Sequence, residues 1–145
     1  MATGTDTATE SGIAAVALVE RFLDGLMQGD AAAVAGLLTD DVEWHNVGWP
    51  TIRGKRRVVA ALTKMTELPG FSFTVEMHNI AADGDVVMTE RTDGLWVGPL
   101  GGEFWVCGTF ELRDGQIAVW RDRFDVYAMV KGTVRGTVRG LLGRR

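Results

Sequence analysis

Two short stretches hold residues that could do chemistry: TERTDGL at residues 89–95 and VWRDRFD at residues 119–125. Both lie in runs of β-branched and aromatic residues, and in a strand residues two apart share a face. Arg91 and Asp93 therefore point one way. Asp122 points with Trp120 and Phe124, while Arg121, Arg123 and Asp125 take the opposite, solvent-like face. A carboxylate grouped with aromatics faces the interior, where a lone charge is prohibitive unless it is paired or protonated. Arg91 is the natural partner, because a guanidinium fork can bridge two carboxylates, and Asp93 supplies the second. A free aspartic acid ionises at ~3.9, so keeping one protonated near neutrality costs about 4 kcal/mol, which desolvation in an apolar pocket can supply. Arg91 opposes that shift, so the coupled carboxyls should hold one proton between them, giving one acid and one base in one pocket. A purely structural ion-pair cluster is the competing reading of the same spacing.

Other reactive side chains offer less. His45 lies between Trp44 and Asn46, so alternation turns it to the other face, and His78 sits alone in another strand. Neither has ligand spacing, and no metal or cofactor is expected. Cys107 in FWVCGTF has no catalytic partner and reads as a small buried apolar residue. The glycines of GPLGG join two strands rather than a strand and a helix, which makes a hairpin loop and not a phosphate cradle.

The elements that must position the triad follow from periodicity. With 145 residues the chain is one domain, and its net charge of -4 gives no electrostatic reason to bind nucleic acid. One cysteine excludes an intrachain disulfide; the first residues lack the features of a secretory leader and no apolar run reaches a bilayer-spanning length. The expectation is a cytoplasmic protein with no membrane span. Residues 1–11 read as a disordered tail, 12–131 as the single domain, and 132–145 as a basic C-terminal tail or helix in which GTVR occurs twice. Apolar residues at helical spacing predict a helix from Ile13 to Leu26, a short Ala-rich helix before Leu38, and a third helix through Val58, Ala61, Leu62 and Met65. Between them DDVEWHNVGW is extended. Four strands follow, FSFTVEMHNIAA, DVVMTERTDGLWVG, EFWVCGTFELR and QIAVWRDRFDVYAMV, separated by Gly- and Asp-bearing turns. The fold class is α+β: helices packed in the concave face of a strongly curved mixed, mostly antiparallel sheet, a cone.

ERTDGL, GPLGGEFWVCGTFE and WRDRFDVYAMVKG, with NVGWPTIRGKRR upstream, resemble the limonene-1,2-epoxide hydrolase family, and most closely its actinobacterial members. The resemblance covers roughly residues 12–140. It implies the cone fold shared with nuclear transport factor 2, scytalone dehydratase and ketosteroid isomerase. It also implies roles: Asp122 deprotonates water, Asp93 protonates the epoxide oxygen, and Arg91 couples them in one concerted step. The family's water-positioning Tyr-x-Asn is matched by WHN, so Asn46 corresponds and Trp44 replaces the tyrosine. An indole can only donate where a phenol can donate and accept, so reduced or altered hydrolase activity is expected. Trp44, Leu95 and Phe124 are expected to line the substrate pocket, favouring bulky apolar epoxides. The partners implied are a hydrophobic epoxide, water as co-substrate and a second copy in a homodimer. Two other readings stay open: an isomerase or cyclase of the same fold acting on a polyketide or steroid, and a non-catalytic binder of apolar ligands.

Overall fold

The computed structural model describes residues 3–143. Its first helix, α1 (Thr3–Gln28), turns Ala15, Leu18, Val19, Phe22 and Leu23 inward at helical spacing. Ile13 faces out. Asp30 caps the short α2 (Ala31–Gly36) by accepting from the Ala33 amide at 3.0 Å. Strands β1 (Leu38–Asn46) and β2 (Ile52–Arg53) follow, then α3 (Lys55–Thr66), and then four long strands: β3 (Phe71–Asp83), β4 (Val86–Val97), β5 (Leu100–Arg113) and β6 (Gln116–Arg123). A last helix, α4 (Val126–Leu141), ends the described chain.

The six strands form one sheet in the order β2-β1-β6-β5-β4-β3. Only β1 and β6 run parallel; the other neighbours are antiparallel. Register shifts between Met77 and Asn79 and between Glu111 and Leu112 add local twist to the curl. Phe22 of α1 meets Phe110 and Trp120 edge-on, with ring centroids 5.9 and 4.9 Å away, which anchors the helix over the concave face. The α+β cone with helices on its concave side is the expected fold class.

Three boundaries differ from the reading of the sequence. Helix α1 begins at Thr3, within the stretch read as a tail over 1–11; residues 9–11 are exposed, so this part of the helix needs no apolar periodicity. The fourth long strand was expected to run through Val130, but it stops at Arg123. There the Asp125 carboxylate accepts from the amides of Tyr127 and Ala128 at 2.9 and 3.2 Å and starts α4. That helix crosses the domain boundary placed after residue 131. Its glycines at every fourth position, Gly132, Gly136 and Gly140, lie against the start of β5, where a Cβ on Gly136 would come within 2.9 Å of the Gly102 Cα. The GTVR duplication is thus a flat helix face that lets two backbones approach. Residues 1, 2, 144 and 145, the extremities of the two expected tails, lie outside the described residues.

Candidate active site

Arg91 and Asp93 sit on β4 and Asp122 on β6, all turned to the concave face, with Arg91 0%, Asp93 4% and Asp122 7% exposed. Alternation put them there, and side-chain geometry brings them together. Arg91 Nε donates to Asp93 Oδ1 at 2.8 Å, and Nη2 donates to Asp93 Oδ2 at 3.1 Å and to Asp122 Oδ1 at 2.7 Å. Nη1 donates at 2.9 Å to the hydroxyl of Thr89, a residue that the sequence reading did not single out. A fully buried guanidinium thus holds two carboxylates at once.

Burial pushes both carboxyls above the ordinary aspartate value, because desolvation penalises the charged form. Arg91 pulls both back, and the charge on Asp122 adds a further upward push on Asp93. Burial also works against the Arg91 cation, but the Asp122 and Asp93 charges outweigh it and hold the guanidinium protonated. The array therefore contains one fixed cation and two carboxyls that retain protons to higher pH than free aspartates.

Asp93 and Asp122 open on a cavity of about 750 Å³. Asn46 and Trp44 line it from β1, Leu95 from β4 and Phe124 from just past β6, so all four residues expected around the triad reach the same space. The parallel register of β1 and β6 sets Asn46 beside Asp122 and Trp44 beside Trp120. The two indoles stack, with centroids 4.4 Å apart and planes 8° from parallel. The Trp44 Nε1–H is buried and has no hydrogen-bond partner. Phe124 lies beyond the end of β6 rather than in it, yet packs on Trp49 and Phe104 at the cavity wall. Trp49, Phe104 and Met129 of α4 are lining residues that the sequence reading missed. Phe104 was accessible to the same period-2 argument, being two residues before Val106; Met129 was hidden by reading α4 as strand.

The histidines lie elsewhere. His45 meets Glu43 and Thr51, and His78 bonds Thr92 on the outer face. No cluster of three metal-ligating side chains occurs among the described residues. Cys107 is half-buried rather than sealed in the core.

Comparison with known proteins shows the family of the chain. Residues 13–135 match the limonene-1,2-epoxide hydrolase catalytic domain. Epoxide hydrolase EphG of Mycobacterium tuberculosis is 51% identical over 120 residues, which is 83% of this chain and 79% of that protein. The solved structure of an M. tuberculosis LEH-like epoxide hydrolase superposes with a TM-score of 0.85 at 46% identity, covering 91% of this chain and 98% of that one. A candidate polyketide cyclase of Xanthomonas campestris pv. campestris superposes at 0.76 with 17% identity, over 85% of this chain and 98% of its own, and shares the fold alone. With residues 13–135 matched, a span running from α1 into α4, the chain belongs to the limonene-1,2-epoxide hydrolase family.

Proposed function

We propose that this protein adds water to a hydrophobic epoxide in one step, giving a vicinal diol without a cofactor. The observation that carries the reading is the buried Asp93–Arg91–Asp122 array opening on an apolar cavity. Asp122, beside Asn46, takes a proton from water as the water oxygen attacks one epoxide carbon. Asp93 gives its proton to the epoxide oxygen as the C–O bond breaks. Its Oδ2, held by the longer 3.1 Å contact, is the oxygen better able to carry that proton. The proton left on Asp122 then returns to Asp93, so the enzyme is restored and only epoxide and water are consumed. Arg91 keeps the two carboxyls coupled throughout.

Trp44 fits this scheme as part of the wall: its ring stacks on Trp120 and its N–H is buried, so the water is held by Asp122 and the Asn46 carbonyl oxygen. Leu95 and Phe124 would then select bulky apolar substrates. We further propose that the working form is a homodimer, for which the apolar outer row of α4, with Val130 52% and Val134 60% exposed, supplies a surface.

The test is diol formation from limonene oxide, cyclohexene oxide, styrene oxide and a fatty-acid epoxide, with Asp93→Asn and Asp122→Asn beside the wild type. Loss of turnover in both variants is expected. A single turnover in H₂¹⁸O should place the label in the diol; unlabelled first-turnover product would mean attack by a carboxylate and sink the one-step mechanism. No diol from any epoxide by folded protein would leave the isomerase, cyclase and binder readings.

A further inference from the structure

The ion pair between Arg91 and Asp122 crosses a whole strand. Arg91 stands on β4 and Asp122 on β6, with β5 between them, a span of about 9.6 Å at ~4.8 Å per neighbour. A side chain on the same face of β5 would block it. The residue at the crossing is Gly108, in register with Thr89 on one side and Asp122 on the other. A Cβ there would collide with Arg91 Nη1 and stand 2.6 Å from Thr89 Oγ1 and 3.1 Å from Asp122 Oδ1. Gly108 has no left-handed φ, so the missing side chain serves space and not a turn.

Thr89 closes the other side of this seat. It is 2% exposed, and its hydroxyl accepts from Arg91 Nη1 at 2.9 Å while donating, at a long 3.5 Å, to the Gly108 carbonyl. Directed at a carbonyl, the hydroxyl proton leaves a lone pair for the guanidinium. Nη1 therefore has a neutral acceptor and does not need a carboxylate. The remaining donors divide two to Asp93 and one to Asp122.

We propose that Thr89 and Gly108 are positioning residues for the acid–base pair: together they hold the Arg91 guanidinium across β5 in the one orientation that keeps its bonds to Asp93 and Asp122 unequal. The inference rests on the epoxide hydrolase reading for its catalytic consequence, though not for its electrostatic one. Without the Thr89 hydroxyl a fully buried N–H would be orphaned beside the two carboxylates that the neighbouring N–H groups already hold. The guanidinium would turn toward Asp122, lowering its pKa and weakening it as a base, and would release Asp93, raising its pKa. Of the other neighbours, the Trp120 indole acts on Asp122 and pulls that carboxyl down. Arg91 is in register with Met77 on β3 and Val106 on β5, Asp93 with Val75 and Phe104, and Asp122 has Asn46 on β1. Among the described residues lining the cavity, the remaining charged groups are Asp30 and Lys64, both exposed.

The deciding variants are Thr89→Val, which keeps shape and removes the hydroxyl, Thr89→Ser, which restores it, and Gly108→Ala. Two readouts are needed: kcat and KM for an epoxide that the wild type hydrolyses, and the carboxyl ¹³C titrations of Asp93 and Asp122, which need no turnover. Thr89→Val should lower kcat about 10- to 100-fold with KM within about twofold, as expected of a small misplacement of a catalytic group. It should also move the Asp122 titration down and the Asp93 titration up. Thr89→Ser should return both toward wild type, and Gly108→Ala should lose activity by displacing Nη1. Wild-type titrations and kcat in Thr89→Val, whatever its melting temperature, would overturn the proposal, as would failure of serine to rescue. If the wild type makes no diol, the functional reading fails while the titrations still decide the seat.

Discussion

At the scale of single residues the site depends on one cation shared by two buried carboxyls. Asp93→Asn and Asp122→Asn should each lower kcat by about 10²- to 10⁴-fold, the usual worth of a positioned proton donor or acceptor. Both carboxyls titrate above the ordinary aspartate value, so kcat against pH should be a bell: the acidic limb marks loss of the base as Asp122 gains a proton, the alkaline limb loss of the acid as Asp93 gives its proton up. Asp93→Asn should abolish the alkaline limb in whatever activity remains; a limb that persists unchanged would place the acid elsewhere. Trp44→Tyr separates two uses of the indole. A rise in kcat means that the wild-type water lacks an acceptor, whereas no gain means that the ring shapes the wall through its stack on Trp120. The grouping of these three residues was legible in the sequence: period-2 alternation sets Asp122 with Trp120 and Phe124 and puts Arg91 and Asp93 on one face, and a buried carboxylate's need for a partner turns that face inward. Gly108 and Thr89 were not singled out, because their roles appear only once the path of the guanidinium across β5 is known. The signal was nevertheless present: a meander orders β4, β5 and β6 as neighbours, so an Arg–Asp pair between the outer two demands a missing side chain on the middle one.

At the scale of elements, α1 to α3 and the four long strands were readable because their burial follows their own local period: Phe22 and Leu23 on a helix, Arg91, Asp93 and Leu95 on a strand. Helix α4 was not. DVYAMV has the β-branched and aromatic texture of a strand, and three interior glycines each cost about 1 kcal/mol of helix propensity. Tertiary contact overrides that preference, since Gly132, Gly136 and Gly140 let the helix lie against β5 at backbone distance. The consequence can be measured. Gly136→Val should force α4 off β5, costing on the order of 2 kcal/mol by overpacking and lowering Tm by several degrees. Because Met129 of the same helix lines the cavity, KM for an apolar epoxide should rise several-fold while the acid–base limbs of kcat stay in place. An unchanged Tm and KM would show that α4 does not rely on that close approach.

At the scale of the whole molecule the same contacts bear on assembly and on the pH dependence of stability. The glycine row that seats α4 fixes which face is left over: Tyr127, Val130, Val134 and Val138 point away from the sheet and are 75%, 52%, 60% and 51% exposed. If that row is the homodimer contact, the wild type should sediment as a dimer and Val134→Lys as a folded monomer; a wild-type monomer at micromolar concentration would dismiss the dimer. Stability, in turn, should carry the signature of the triad. In the folded protein Asp93 and Asp122 keep their protons to higher pH than in the unfolded chain, because burial raises both. Between the unfolded value of ~3.9 and the raised folded values the native state binds more protons than the unfolded one, so the contribution of these groups to stability falls as pH rises through that window. Asp93→Asn removes one of the two titrations and leaves Arg91 paired with a single carboxylate. The difference in Tm, wild type minus Asp93→Asn, should therefore become less favourable to the wild type as pH increases from about 4 toward alkaline values. A difference that grows in favour of the wild type would mean that Arg91 holds Asp93 below its unfolded value, and Asp93 could then no longer be the proton donor.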